Sequence, residues 1–188
     1  LFEETIATLG ERGIKTILCT PTATPPRWLT EGHDDWLRVD ADGRRMSHGN
    51  RQHCCTTHED FRGESRRITE AMAKAFAGNP HVIGWQTDNE LYCHQSLCYC
   101  TACQEAFCEW LEDTYGTIEE LNRCWGTAFW AQTYSRFGQI PLPYVQARPS
   151  YSNPTHLRDY YRFVSDMVIE FQRQQVEILR QANPQWWI

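Results

Sequence analysis

The residues best placed to do chemistry come directly after an apolar run. In VIGWQTDNE, the segment from Val82 to Gln86 leads into Asp88, Asn89 and Glu90, two carboxyls and an amide at the end of what reads as a buried strand. A glutamic acid held there, partly desolvated and flanked by aromatic rings, would have its proton affinity raised, as a general acid working near neutral pH requires. Glu90 is the candidate for that role, and Asn89 could hydrogen-bond a substrate hydroxyl. The structural alternative is a carboxylate that merely caps the start of a helix.

A second constellation is sulfur-rich. Nine cysteines occur, an odd number, and Cys98, Cys100 and Cys103 crowd into CYCTAC. Thiols this close cannot staple distant elements, but they are well placed to share one metal ion. A reducing compartment is inferred. Free buried thiols are the alternative, and they are the expectation for Cys19, Cys108 and Cys124. Cys93 and His94 lie close enough to be spare ligands, although lining the loop after Glu90 suits them better.

These groups need a scaffold. Residues 14–19 (IKTILC) predict a short parallel strand running into the loop TPTATPP. A long polar stretch over residues 27–58 shows no sustained periodicity, and loops of that length usually carry function. Ile68, Met72, Ala75 and Phe76 mark an amphipathic helix over 59–77, closed by Gly78 and Asn79-Pro80. A second strand is expected over 81–86. Beyond CYCTAC, a helix over 104–114 should bury Phe107, Trp110 and Leu111 and end at Gly116; Thr117 and Glu120 then form a capping box. The stretch from WGTAFW to ARPSYS reads as loop. Asn153-Pro154 is a good N-cap and first-turn pair for a long helix to about residue 181, with Leu157, Tyr161, Val164, Val168, Phe171 and Ile178 on its buried side. QWWI then begins a third strand. Strands alternating with helices imply an α/β fold with a parallel sheet, and a partial TIM barrel is the preferred architecture.

Composition narrows the partners. With 188 residues, 41% of them hydrophobic, the chain has material for one real core. No apolar run is long enough to span a membrane, and the opening LFEETIATLGERG reads as amphipathic helix rather than as a leader. A net charge of −6 with scattered basic residues disfavours nucleic acid. Eight Trp and eight Tyr supply flat amphipathic rings that stack on sugars as readily as they fill a core.

Several segments together resemble the catalytic domain of glycoside hydrolase family 42: PTATPPRWL, the arginine and histidine of RQHCC, GWQTDNE, CYCTACQEAF and YGTIEELNRCWGTAFWAQTY. The similarity covers most of the chain in the family's order and spacing. It implies that residues 1–188 are an internal part of a single TIM-barrel catalytic domain, from roughly strand three to the start of strand five. The implied activity is that of a retaining β-galactosidase releasing terminal non-reducing β-D-galactose. Glu90 matches the family's acid/base, Asn89 the residue that holds the sugar 2-hydroxyl, Arg51 a galactose-binding arginine and Trp130 a subsite aromatic. A surface salt bridge for Arg51 and core packing for Trp130 are the structural alternatives.

The family's nucleophile is a second glutamate near the end of strand seven, outside this chain. Glu105, Glu109, Glu112, Glu119, Glu120, Glu170 and Glu177 all fall in predicted helices. Some members carry a structural zinc site, whose three clustered ligands match Cys98, Cys100 and Cys103; Cys55 matches the remote fourth. Cys54 stands where an aromatic is usual, which leaves the choice within the adjacent pair open. The resemblance further implies a cytoplasmic homotrimer acting on β-galactosides. Two other assignments remain at this level: a zinc-stabilised binding module without catalysis, and the same fold acting on β-fucosides, α-L-arabinopyranosides or β-glucosides.

Overall fold

The computed structural model describes residues 1–91, 93, 97–143 and 153–188. Helix α1 (Phe2–Gly10) leads to strand β1 (Thr16–Cys19), a single helical turn α2 (Arg27–Thr30), helix α3 (Glu59–Phe76) and strand β2 (Val82–Gln86). Helices α4 (Thr101–Tyr115), α5 (Ile118–Trp125) and α6 (Pro154–Ala182) follow.

Strands β1 and β2 are parallel, with Ile17 opposite Gly84 and Cys19 opposite Gln86. Trp187 forms a parallel bridge to Gly84 on the other side of β2, through Trp85 N–H to the Trp187 carbonyl at 2.7 Å and Trp187 N–H to the Ile83 carbonyl at 3.0 Å. QWWI, read as the beginning of a third strand, thus contributes one parallel bridge, and the strands among the described residues are β1 and β2. Gly84 makes the approach possible: a Cβ there would sit 2.6 Å from the Trp187 oxygen. Successive strands are neighbours, and the connecting helices return on one side. Leu18, Val82 and Trp85 pack under Ile6 of α1, Ala73 and Phe76 of α3, Leu179 of α6 and Trp186, while Ile17 on β1 is 54% exposed.

Helix ends follow local chemistry. Gly116 closes α4 at φ 72°, and Thr117 caps α5 by accepting from the Glu120 N–H. The reciprocal half of that capping box is missing, because Glu120 turns to Arg123 at 2.8 Å instead. The Asn153 side chain accepts from the N–H groups of Thr155 and His156 with Pro154 in the first turn.

Two helix faces differ from expectation. On α3 the buried stripe is Phe61, Ser65, Thr69, Ala73 and Phe76, while Ile68 and Ala75 point outward. Ser65 and Thr69 can be buried because each hydroxyl donates to the carbonyl four residues back, at 2.8 and 2.7 Å. On α6 the buried side includes Tyr160, Phe163, Gln175 and Leu179 as well as the expected Val164 and Phe171; Tyr161 is exposed, and Leu157, Val168 and Ile178 are only half-buried. The rotation follows from satisfied polar groups, Gln175 accepting from Thr20 Oγ1 at 2.6 Å and Asp159 from Trp125 Nε1 at 3.0 Å. Helix α4 also starts three residues early, so that Cys103 sits in its first turn.

The stretch 27–58 is packed rather than open. Leu37 pairs with Cys54 and Val39 with Arg45 in antiparallel bridges, and Trp36, Leu37 and Cys54 form a small core with Phe61 and Phe171. The main core gathers Phe107, Leu111, Leu121, Trp125, Tyr160 and Phe163. All nine cysteines are free. Cys19 and Cys124 are exposed and Cys108 half-buried, which corrects their placement in the interior; Cys19 lies on the sheet face that the helices leave uncovered. Among the described residues, no helix is long and apolar enough to cross a membrane.

Candidate active site

Strand β2 ends at Gln86, and the chain then turns through two residues in the left-handed region, Asp88 at φ 54° and Glu90 at φ 47°. Gln52, in the segment that carries Arg51, is a third at φ 60°. Left-handed backbone at a residue other than glycine costs on the order of 1–3 kcal/mol and persists only where the surroundings fix it.

What fixes it is a buried polar knot around Asp88, which is 2% exposed. Its Oδ1 accepts from Gln52 Nε2 at 2.6 Å and from the Asn89 N–H at 2.6 Å, and its Oδ2 accepts from Thr22 Oγ1 at 2.5 Å. The Asp88 N–H donates to Thr20 Oγ1 at 2.7 Å, and Thr20 in turn donates to Gln175 of α6. Gln52 Nε2 also reaches the Asn89 carbonyl at 2.8 Å. Burial pushes the Asp88 carboxyl up, against the pull of Thr22, Asn89 and Gln52. Asn89 receives Gln86 Nε2 on its Oδ1 at 3.0 Å.

Glu90 emerges from this turn and pairs with Arg51, Oε2 to Nη2, at 2.6 Å. Arg51 is therefore in a salt bridge, as its structural alternative held, but the partner is the candidate acid/base. The desolvation expected of Glu90 is not met by these residues: the side chain is 58% exposed and that of Arg51 44%, and Tyr92, the nearest flanking aromatic after it, lies outside the described residues. Trp130 sits in the turn Phe129–Ala131 at φ 56°, 72% exposed, its ring 5.6 Å from that of Phe129. Core packing does not account for it, and the described contacts do not bring it to Glu90.

The sulfur cluster is assembled by the same two chain segments. The Sγ atoms of Cys55, Cys98, Cys100 and Cys103 all lie within 4.8 Å of one another, and all four residues are buried. Such a set could hold a metal ion. Cys54 takes no part: next to Cys55 in extended chain it points the opposite way, into the core of Trp36, Leu37 and Phe61, where burial pushes its thiol up to about 12. Cys93 is exposed and outside the cluster; His94 lies outside the described residues.

Gln52, Thr20, Thr22 and Gln175 are knot residues that the sequence did not single out, and Asp88 was named there without a role of its own. The threonines directly after β1 and the glutamine beside Arg51 were visible signals, whereas nothing in the α6 pattern distinguishes Gln175.

The family model of glycoside hydrolase family 42, described as beta-galactosidase, matches residues 1–188. The beta-galactosidase of Thermus thermophilus is 52% identical over 184 residues, 97% of this chain and 28% of that protein. Two solved beta-galactosidases, from the psychrophilic Marinomonas ef1 and the Antarctic haloarchaeon Halorubrum lacusprofundi, superpose with a TM-score of 0.94 at 40% and 43% identity, each over 98% of this chain and 28% of theirs. The chain thus spans about 28% of the length of the relatives it matches. With a family model matched from its first residue to its last and relatives above 40% identity, this chain belongs to glycoside hydrolase family 42, the beta-galactosidase family.

Proposed function

We propose that residues 1–188 form the acid/base-bearing part of the catalytic TIM barrel of a retaining β-galactosidase, within a single domain and from about its third strand to the start of its fifth. The observation that carries this is the placement of Glu90: just past the C-terminal end of a central parallel strand, where barrel enzymes build their sites, and in contact with Arg51. In the first half-reaction Glu90 protonates the glycosidic oxygen as the bond to the leaving group breaks. In the second it takes a proton from the water that attacks the glycosyl-enzyme. Asn89 holds the sugar 2-hydroxyl, Arg51 binds galactose, and Trp130 stacks on the sugar or its leaving group.

Retention requires a second carboxylate roughly 5–5.5 Å from the first. Glu105, Glu109 and Glu112 lie in α4, Glu119 and Glu120 in α5, and Glu170 and Glu177 in α6, so we place the nucleophile in the remainder of the protein. The four clustered thiols suit zinc: tetrahedral bonds of about 2.3 Å put sulfurs ~3.8 Å apart, and the Sγ atoms lie within 4.8 Å of one another. A closed all-thiolate set leaves no position for water, so the ion's contribution is positional. It ties the segment bearing Arg51 to the one after Glu90. Substrates are β-galactosides, and the family's homotrimeric, cytoplasmic character is carried over with the activity.

The test is Glu90→Gln in the full-length protein. Hydrolysis of β-galactosides should fall about 10²- to 10⁴-fold while galactose still binds. Undiminished hydrolysis would instead favour a non-catalytic, metal-stabilised binding module.

A further inference from the structure

The polar knot at the end of β2 has a centre that the reaction does not use. Asp88 takes donors from three separate places, Thr22 after β1, Gln52 beside Arg51, and the backbone of Asn89. Gln52 Nε2 and the Asn89 N–H can only donate, so Oδ1 must accept twice at 2.6 Å, which suits a carboxylate. A carboxylate buried to this degree is costly to desolvate, and the three donors offset that cost. Two of its three contacts reach residues that are left-handed or lead into one, Gln52 at φ 60° and Asn89, which precedes Glu90 at φ 47°, and Asp88 itself lies at φ 54°.

We propose that Asp88 is a positioning residue for the acid/base, holding the Asn89–Glu90 turn and the Gln52–Arg51 segment in the register that aims the Glu90 proton at the glycosidic oxygen. The proposal rests on Glu90 being the acid/base. The four-thiol cluster joins the Arg51 segment, through Cys55, to residues that follow Glu90 in the chain, Cys98 to Cys103, and Asp88 joins it through Gln52 to the residues that precede Glu90. With both ties in place the Arg51–Glu90 pair has little freedom. With the Asp88 tie gone, Glu90 keeps its carboxyl but not its aim, and small misplacements of a reacting group can cost about a hundredfold.

A leaving-group comparison in the full-length protein tests this, because in the glycosylation step the aim of Glu90 matters only for protonation of the leaving group. Two substrates are used: 2,4-dinitrophenyl β-galactoside, whose phenolate departs without a proton, and methyl β-galactoside, whose alkoxide cannot. The value of kcat/KM reports the glycosylation step. Asp88→Asn keeps the shape and one acceptor oxygen but removes the charge. It should lower kcat/KM on the methyl galactoside by about 10- to 100-fold through kcat rather than KM, and leave the dinitrophenyl value nearly unchanged. An equal loss on both substrates, or no loss on either, overturns the proposal.

Glu90→Ala, run alongside, separates the two claims. If it discriminates between the substrates while Asp88→Asn does not, the proposal fails and the acid/base assignment stands. If Glu90→Ala itself shows no discrimination, the assignment fails and the role of Asp88 falls with it. Should Asp88→Asn fail to fold, Thr22→Val deletes one donor and leaves the carboxylate; the same discrimination on a smaller scale is then required, and its absence overturns the proposal.

Discussion

Glu90 and Arg51 meet at 2.6 Å although both are substantially exposed, and an exposed pair of this kind contributes at most about 1 kcal/mol to stability. Its interest is chemical: the guanidinium stands beside the proposed proton donor, and in the proposed function its planar fork is what binds galactose. Arg51→Ala should raise KM for galactosides about tenfold to a hundredfold, the range of a hydrogen bond to a charged group, and Arg51→Lys should restore little of it, since an ammonium cannot reproduce the fork. Steady-state kinetics on the full-length protein check both. His156 supports a pH prediction. Burial, with its ring stacked 4.6 Å from that of Trp125, pushes its pKa down to about 4, against about 6.5 in an unfolded chain. Between those values the unfolded state binds the proton and the folded state does not, so stability is full above about pH 6.5 and falls as pH drops toward 4, by up to roughly 3 kcal/mol. Melting temperatures across that window should show the loss, and His156→Leu should flatten it. Glu90 and the CYCTAC thiols stood out by residue type and placement, whereas Arg51 was reached only through the family resemblance. Gln52 did not stand out, and Asp88 was visible only as a second carboxyl, because a residue that works through buried hydrogen bonds looks in sequence like any polar loop residue.

Strands, helix ends and helix order were legible from apolar runs and breakers: VIGWQ became β2, Gly116 ended α4, and Asn153-Pro154 opened α6. Helix faces were not, because Ser65, Thr69, Asp159 and Gln175 are buried with their hydrogen bonds satisfied, and hydrophobic periodicity is blind to that. Only the side each takes in the segment beside Leu37 puts Cys55, and not Cys54, in the four-thiol cluster. Two predictions belong to this scale. Gly84→Ala should weaken the bridge between β2 and Trp187, since its Cβ would meet the Trp187 carbonyl at 2.6 Å; a lowered melting temperature of the full-length protein is the readout. Removing metal from the four-thiol site should loosen the tie between the segments of Arg51 and Glu90 and lower both melting temperature and activity. A protein shown metal-free by elemental analysis that keeps both would contradict a positional role for the cluster.

As a whole, the chain builds a one-sided parallel sheet: helices α1, α3 and α6 cover one face, while Ile17 and Cys19 stand exposed on β1. That arrangement, with sequential strands as neighbours, is how a barrel wall is laid down, and the alternation of strands and helices made it legible before any coordinates. The chain spans about 28% of its relatives' length, and its glutamates after Glu90 all lie in helices. Expressed alone, residues 1–188 should therefore hydrolyse no galactoside, a result that a sensitive fluorogenic assay can establish. The central claim, that Glu90 is the proton donor and acceptor, is tested most directly by chemical rescue in the full-length protein. Glu90→Ala assayed with 2,4-dinitrophenyl β-galactoside and added azide should regain turnover and release β-galactosyl azide, because the anion attacks the glycosyl-enzyme without needing a base. Failure of azide to accelerate the variant, or release of α-galactosyl azide, would contradict the assignment.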